Sequence, residues 1–310
     1  MVVLPKLKKK KLMVQSFVLG NIFKGLQVSK VIRPVVISIV FFWLLPGLYA
    51  QVPEGPDTIT VSSGGLLLKG LLWRPISTGV LPAVIFCHGS YETSHPRYDI
   101  VQQTSALGPL FARNGYIFLD LFRRGAGLSK GQGENSADLM SKAFKEEGQQ
   151  ERNHVQIQQL QTNDLQDVRS GLALLRQRRD VDTDHIAIIG HSFGGSLALL
   201  VAKQDPAIRA VIAFAAGGYS WNNSSQLQAA LIDAVKKINV PVMLVYAQND
   251  YSTAPAYALD SVMTLVGKLH VLKMYPPYGK SLAEGHNIIF LKVNLWEEDI
   301  FKFLHQYLHR

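Results

Sequence analysis

The sequence predicts an α/β fold in which a mostly parallel sheet is covered by helices on both faces. From Asp57 onward, short apolar runs alternate with helical patterns, which is typical of such sheets. One of the runs ends at a glycine-rich turn around a serine. Eight runs are strand candidates, and the first two predict an antiparallel pair: residues 59–61, 66–73, 83–87, 116–121, 186–189, 210–214, 242–247 and 269–275.

The segments between these strands predict helices and one insertion. Apolar residues at helical spacing predict helices over residues 101–113, 164–176, 226–235, 254–266 and 295–308. Residues 128–161 are polar and rich in Gly, Gln, Glu and Lys, and we expect a solvated insertion near the mouth of the site. Residues 217–239 are too few for a helical cap, so we expect no large cap domain and an open pocket.

Composition limits the possible classes of protein. The chain has 310 residues, of which 47% are hydrophobic, and it can bury one large core or two moderate ones. A single cysteine, Cys87, excludes an intramolecular disulfide and a cysteine-based zinc site. The net charge is +9, but residues 1–50 carry eight basic residues and no acid, which leaves +1 for residues 51–310. We therefore expect no nucleic-acid partner.

The amino-terminal segment has the pattern of a secretory signal. A basic stretch precedes the apolar residues 35–49, and the small residue Ala50 follows, so cleavage after Ala50 is expected. The alternative is a signal anchor, because residues 34–53 carry no charge and roughly 20 residues can span a bilayer. Either reading exports residues 51–310, as a periplasmic or secreted domain or one anchored by residues 34–50. Membrane contact is expected only through an uncleaved leader.

The glycine-rich turn has the pattern of a nucleophile elbow. Gly190-His191-Ser192-Phe193-Gly194 stands between a buried strand and a helix, which is the context that G-x-S-x-G requires. Glycine is needed there because a sharp turn brings neighbouring backbone close to those positions. Ser192 is therefore the candidate nucleophile. The alternative is a serine that only caps the helix.

A serine nucleophile needs a histidine base and a carboxylate that orients it. Parallel sheets place such groups beyond the carboxyl ends of their strands. Asp250 follows the strand at 242–247, and His286 follows the last strand, so they are the expected acid and base. Asp250 could instead be a turn aspartate, and His286 a surface histidine. Glu284 is a weaker alternative acid because it is so near His286 in sequence.

The developing oxyanion and the substrate need further groups. The backbone N–H of Phe193 is the expected first oxyanion donor, and Ser90, or failing that Tyr91, the second. Aromatic residues in the predicted exit loops could form a substrate wall. The candidates for substrate binding are Tyr91, Tyr219, Trp221 and Tyr251.

Three further segments, together with the residues above, carry a resemblance to a known family. They are His88-Gly89, the loop Arg124-Gly125-Ala126-Gly127-Leu128-Ser129 after the fourth strand, and Asp182-Thr183-Asp184-His185-Ile186, which leads into the nucleophile elbow. Residues 57–310 resemble the α/β-hydrolase superfamily, and particularly its dienelactone hydrolase-like and prolyl-oligopeptidase-like branches. Dienelactone hydrolases carry a cysteine where this chain has Ser192, and prolyl oligopeptidases bear a β-propeller that this chain is too short to hold. Phe122 also replaces the acidic residue of the related Asp-x-Arg-Gly loop.

The resemblance and the residues together predict an exported serine hydrolase. It would cleave carboxylic esters of small or accessible substrates through an acyl-enzyme, with no cofactor and no metal. A peptidase, an amidase or an acyltransferase could use the same three residues. A non-catalytic binding domain with this fold is the alternative of another class, and the complete Ser, Asp and His set argues against it.

Overall fold

The structure is a computed structural model that describes residues 55–77, 79–94 and 99–309. The predicted leader and its cleavage site lie outside the described residues. Within the described ranges, every helix is too short or too polar to cross a membrane.

Eight strands form a single sheet in the order β1-β2-β4-β3-β5-β6-β7-β8. Strand β2 pairs antiparallel with both β1 and β4, and the other five pairs are parallel, which confirms the predicted sheet. The strands are β1 (Asp57–Ser63), β2 (Leu66–Trp73), β3 (Leu81–Cys87), β4 (Ile117–Leu121), β5 (Val181–His191), β6 (Ala210–Phe214), β7 (Val242–Ala247) and β8 (His270–Tyr275).

Eleven α-helices connect or follow these strands in the described part of the chain. They are α1 (Ile100–Ser105), α2 (Leu107–Arg113), α3 (Ser136–Glu147), α4 (Gln149–Gln161), α5 (Asn163–Gln177), α6 (Phe193–Gln204), α7 (Ser225–Lys237), α8 (Ala254–Leu265), α9 (Leu282–His286), α10 (Ile288–Leu291) and α11 (Val293–Leu308).

The two faces of the sheet bury separate apolar cores. Successive side chains of a strand point to opposite faces, so Ile85 of β3 packs into one core while Val84 and Phe86 pack into the other. Helices α5, α6, α7 and α8 cover the first core, and α2 and α11 cover the second. The central strands are therefore buried on both faces, and their carboxyl ends carry the site described below.

Two predicted elements differ from those observed. The helix expected over residues 101–113 is two helices that divide at Ala106. Pro109 has no N–H to donate to the carbonyl of Ser105, so a continuous helix would lose that hydrogen bond. Strand β5 begins at Val181, five residues before the predicted start at 186. The prediction missed these residues because the first half of the strand is polar and partly exposed and shows no apolar pattern.

The polar stretch at 128–161 is more ordered and more buried than expected. Most of it forms α3 and α4, with Asn135 capping α3 through hydrogen bonds from the N–H groups of Ala137 and Asp138. Polar side chains of α4 are buried, among them Asn153 and Gln156. The charged residues 145–147 are exposed as expected, but these amides are not solvated, because they bond to a neighbouring loop: Gln156 donates to Ser220 Oγ over 3.2 Å, and Asn153 donates to the Asn223 carbonyl.

Candidate active site

Ser192 stands on a strained turn between β5 and α6. Its backbone has φ 57° and ψ −118°, a conformation that L-residues rarely adopt. Its N–H donates to the Phe214 carbonyl over 2.8 Å, which ties the turn to β6. A Cβ on Gly190 would lie 2.0 Å from the Gly194 oxygen, and one on Gly194 would lie 2.0 Å from the Cys87 oxygen. The glycines of the motif are thus required by close backbone packing.

The structure brings the three predicted residues together. His286 Nε2 lies 2.8 Å from Ser192 Oγ, and His286 Nδ1 lies 2.6 Å from Asp250 Oδ1. His286 and Asp250 are both buried. The carboxylate can only accept, so Nδ1 carries the proton and Nε2 is free to accept the Ser192 hydroxyl proton. This is the arrangement that makes a serine oxygen nucleophilic.

Asp250 is held by its own loop as well. The N–H of Tyr251 donates to Asp250 Oδ1 over 2.6 Å, while Oδ2 has no hydrogen-bond partner among the described residues. A Cβ on Gly218 would lie 2.8 Å from Oδ1, so the loop after β6 packs directly on the carboxylate. These contacts orient the carboxylate toward the imidazole.

Glu284, the weaker alternative acid, has a different role. Its carboxylate accepts hydrogen bonds from the backbone N–H groups of Lys280 and Ser281 and from the Ser281 hydroxyl. The Glu284 N–H donates in return to Ser281 Oγ over 3.2 Å, which completes a capping box at the start of α9. The hydrogen bonds to the carboxylate lower the pKa of Glu284, and the bond from the Lys280 N–H has the largest effect. Glu284 therefore caps the helix that carries His286.

The predicted oxyanion donors line the same cavity as Ser192. Phe193 is the first residue of α6 and is buried, while Ser90 and Tyr91 line the cavity next to Ser192. The Tyr91 hydroxyl accepts from the N–H of Gly127 over 2.5 Å, so the side chain is fixed to the loop after β4.

A cavity of about 680 Å³ opens above Ser192 and His286. Three of the four predicted wall residues line it: Tyr91, Tyr219 and Tyr251. The Tyr251 ring lies 5.0 Å from the His286 ring and 5.1 Å from the Tyr219 ring, so the two tyrosines extend the wall outward from the base. The prediction for Trp221 was wrong, because its apolar ring packs into the core beside Gly217 and is only 6% exposed.

The sequence placed the stretch 128–161 near the mouth of the site but did not identify which of its residues line the cavity. Helices α3 and α4 contribute Met140, Phe144, Arg152 and Gln156 to the lining. Arg152 lies in a stretch whose composition is that of an exposed surface, and no local pattern separates it from solvated residues. Only the packing of α4 over the loop after β6 turns it toward the cavity.

Cys87 is not available as a nucleophile. It ends β3, is fully buried, and burial raises the pKa of its thiol to about 12. A thiol needs to lose its proton to act as a nucleophile, so this environment keeps Cys87 inert.

The sequence profile of the dienelactone hydrolase family matches residues 69–294, which is more than half of the chain. The chain belongs to the dienelactone hydrolase family. Residues 69–294 include Ser192, Asp250 and His286, together with the Ser90 and Phe193 backbone. This family member carries a serine at the elbow, and its single cysteine lies elsewhere, in the strand core.

Solved structures of this fold are similar to the chain at low sequence identity. The acylaminoacyl peptidase of Pyrococcus horikoshii superposes with a TM-score of 0.59 at 17% identity, covering 87% of this chain and 43% of that chain. An esterase of Pyrococcus furiosus gives 0.58 at 15% identity, covering 82% and 91%. The dienelactone hydrolase of Anabaena variabilis gives 0.56 at 15% identity, covering 84% and 100%. These similarities show the α/β-hydrolase fold.

A curated relative matches part of the chain. The quorum-quenching protein AidA of Acinetobacter baumannii is 25% identical over 162 residues, which cover 52% of this chain. The match spans 44% of the length of that relative. The chain thus spans less than half of this relative and of the peptidase above.

Proposed function

We propose that this member of the dienelactone hydrolase family is a serine hydrolase that cleaves carboxylic esters through an acyl-enzyme. The observation that carries the proposal is the continuous hydrogen-bonded series from Ser192 Oγ through His286 to Asp250, at the base of a cavity. The serine, its base and the orienting acid are all within hydrogen-bond distance, as this chemistry requires.

The reaction would proceed in two halves. Ser192 Oγ attacks the ester carbonyl carbon while its proton passes to His286 Nε2, and the imidazolium that forms is stabilised by Asp250. The tetrahedral intermediate then breaks the bond to the leaving oxygen, which takes the proton from Nε2. In the second half, water gives a proton to Nε2 and attacks the acyl carbon, and the acid product leaves as Ser192 recovers its proton.

The cavity supports a small substrate with a polar or anionic end. Arg152 forms no ion pair with a described acid: its hydrogen bonds go to Asn153 Oδ1 and Ser220 Oγ, at 3.4 and 3.5 Å, and its guanidinium lies 5.8 Å from the Tyr219 ring. Burial lowers its pKa. Glu92 is the other fixed charge among the described lining residues, and it is exposed at the rim. A substrate carboxylate would give Arg152 the counter-charge that it lacks.

Two measurements test this function. A fluorophosphonate probe should label the wild-type protein and not Ser192→Ala, whose turnover should fall by about 10⁴- to 10⁶-fold with the fold intact. A protein that is not labelled and hydrolyses no ester would be a binding domain, and the proposal would be rejected. Short p-nitrophenyl esters compared with aminoacyl amides distinguish an esterase from a peptidase, and added alcohol acceptors reveal an acyltransferase.

The proposed role of Arg152 in substrate binding is tested with two matched esters. Arg152→Gln should reduce kcat/KM for a p-nitrophenyl ester with a terminal carboxylate by about tenfold, the value of one charge-assisted hydrogen bond, and leave the neutral ester of equal length within about twofold. Equal losses on both esters would remove Arg152 from substrate recognition.

A further inference from the structure

Arg123 lies buried against the loop that follows β3 and is not among the residues that line the cavity. It is only 3% exposed. Its Nη1 donates to the His88 carbonyl over 2.8 Å, its Nη2 donates to the Gly89 carbonyl over 3.4 Å, and its Nε donates to Asp164 Oδ1 over 2.9 Å. One guanidinium thus binds two successive carbonyls of this loop while paired with a buried carboxylate.

The His88 ring holds the same loop. Its Nδ1 lies 2.7 Å from the Gly89 oxygen, and its Nε2 lies 3.2 Å from the backbone N of Arg123. The ring therefore donates from Nδ1 and accepts at Nε2, which is the neutral form. Burial, followed by the charge of Arg123, keeps the pKa of His88 well below its usual range. The Gly89 carbonyl is held by two donors.

The orientation of that carbonyl determines the orientation of the next N–H. The described residues contain no cis peptide bond, and in a trans peptide the C=O and N–H point in opposite directions. With the Gly89 oxygen turned toward Arg123, the Ser90 N–H is turned away from it. The loop at this point is next to the nucleophile: a Cβ on Gly89 would lie 3.6 Å from Ser192 Cβ.

Arg123 also contacts the residue that supplies the other oxyanion donor. Its guanidinium carbon lies 5.4 Å from the centroid of the Phe193 ring. The side chain is fixed in turn by Asp164 of α5, which accepts a hydrogen bond from the Ser136 hydroxyl. Arg123 thus joins the loop after β3, the start of α6 and helix α5 at a single buried point.

We propose that Arg123 is a positioning residue that directs the backbone N–H of Ser90 toward the carbonyl oxygen of a bound ester. The inference rests on the proposed function for its effect on turnover. Its structural part, that Arg123 holds the loop at 88–91, can be tested without turnover. Preorganised N–H donors stabilise the oxyanion only when their geometry is fixed before the reaction, and Arg123 would supply that fixation.

The neighbouring Arg124 provides a matched control. Its guanidinium pairs with Asp167, also on α5, over 2.7 and 3.0 Å, and its side-chain hydrogen bonds in the described structure go to that carboxylate. Lysine at either position keeps the charge but cannot bond several acceptors in one plane. Arg123→Lys and Arg124→Lys therefore each disturb an arginine–aspartate pair on α5, and only the first removes the bonds to the loop.

We expect Arg123→Lys to lower kcat by about 10- to 100-fold, as weakening one oxyanion donor does, with KM within about threefold. Its affinity for a trifluoromethyl ketone, which forms a charged tetrahedral adduct with the serine, should fall by the same factor. Arg124→Lys should keep kcat within about threefold of wild type, because the Arg124 side chain bonds Asp167 and not the loop at 88–91. By hydrogen exchange, the amides of residues 88–91 should exchange faster in Arg123→Lys and not in Arg124→Lys.

Three results would overturn the inference: a folded Arg123→Lys protein with unchanged kcat, an equal kcat loss in Arg124→Lys, or unchanged exchange at residues 88–91. If Arg123→Lys does not fold, the double variant R123Q/D164N removes both buried charges together and should show the same loss of kcat. A wild-type protein that no fluorophosphonate labels would refute the proposed hydrolase. The exchange comparison would still decide whether Arg123 holds the loop.

Discussion

His191 Nε2 lies 2.9 Å from the backbone carbonyl oxygen of His286. The residue before the nucleophile is thereby bonded to the backbone of the base, and the two imidazole rings lie 5.0 Å apart. Burial, with the nearby His286, lowers the pKa of His191 to about 3, so the ring stays neutral at physiological pH. A neutral ring that donates from Nε2 fixes the position of His286 without adding a charge beside it.

His191→Phe should weaken this connection. The His191 ring lies 5.1 Å from the Phe290 ring, and phenylalanine would keep this ring contact. It would leave the buried His286 carbonyl without its donor. We expect a loss of about 1–2 kcal/mol in the free energy of unfolding, measured by urea denaturation, and a several-fold lower kcat. His191→Gln, which retains an N–H donor, should lose less of both. Equal behaviour of the two variants would show that the hydrogen bond has no such role.

The assignment of the acid predicts opposite results for two carboxylates. Asp250→Asn should lower kcat by roughly 10³- to 10⁴-fold, because an amide beside His286 Nδ1 favours the wrong tautomer. Glu284→Gln should leave kcat within about tenfold, because Glu284 caps α9 and the amide oxygen can still accept hydrogen bonds. The check is steady-state kinetics on both variants with their melting temperatures. If Glu284→Gln lost most of its kcat while Asp250→Asn kept a nearly normal kcat, the orienting acid would be Glu284 and not Asp250.

Asp120 predicts a pH dependence of stability. It is fully buried on β4, and burial raises its pKa to about 7. Its Oδ2 lies 2.5 Å from Thr104 Oγ1, which itself lies 2.8 Å from the Ile100 carbonyl. The single hydroxyl hydrogen can serve one acceptor, so a protonated carboxyl that donates to Thr104 satisfies both contacts. The folded protein therefore favours neutral Asp120.

The pKa of Asp120 is higher in the folded state than in the unfolded state. Its contribution to stability is therefore fully present below about pH 3.8 and is lost as the pH rises through about 7. Asp120→Asn is neutral at every pH. Its stability relative to wild type should therefore rise by on the order of 2 kcal/mol between about pH 5 and pH 8, measured by denaturant unfolding at both values. A difference that does not change with pH would show that Asp120 does not titrate in this range.

For the leader, we propose export with cleavage after Ala50. The support is the order of a basic stretch, an apolar segment and a small residue in residues 1–50. Expressed in a Gram-negative host, the mature protein should be recovered from the periplasm with the amino terminus Gln51-Val52-Pro53, read by terminal sequencing. Residues 34–50 found still attached in the membrane fraction would favour the anchor instead, and a cytoplasmic protein would contradict both.

The sequence by itself determined the central strands and the positions of the nucleophile, acid and base. These depend on local or sequential properties: apolar runs that form buried strands, small residues where backbones meet at Gly190 and Gly194, and the rule that parallel strands end at one edge of the sheet. Asp250 and His286 follow such strands, so their place in the chain was enough to bring them near Ser192.

Only the tertiary structure decided which polar residues face the cavity and which aromatic residues do not. Trp221 was placed wrongly and Arg152 was not singled out, because the burial of a side chain depends on which element packs over it, and hydropathy cannot show that contact. Arg123 belongs to the same class. Its partners His88, Gly89 and Asp164 are 34 to 41 residues away in sequence, and only the packing of α5 against the loop after β3 brings a carboxylate and two carbonyls to one guanidinium.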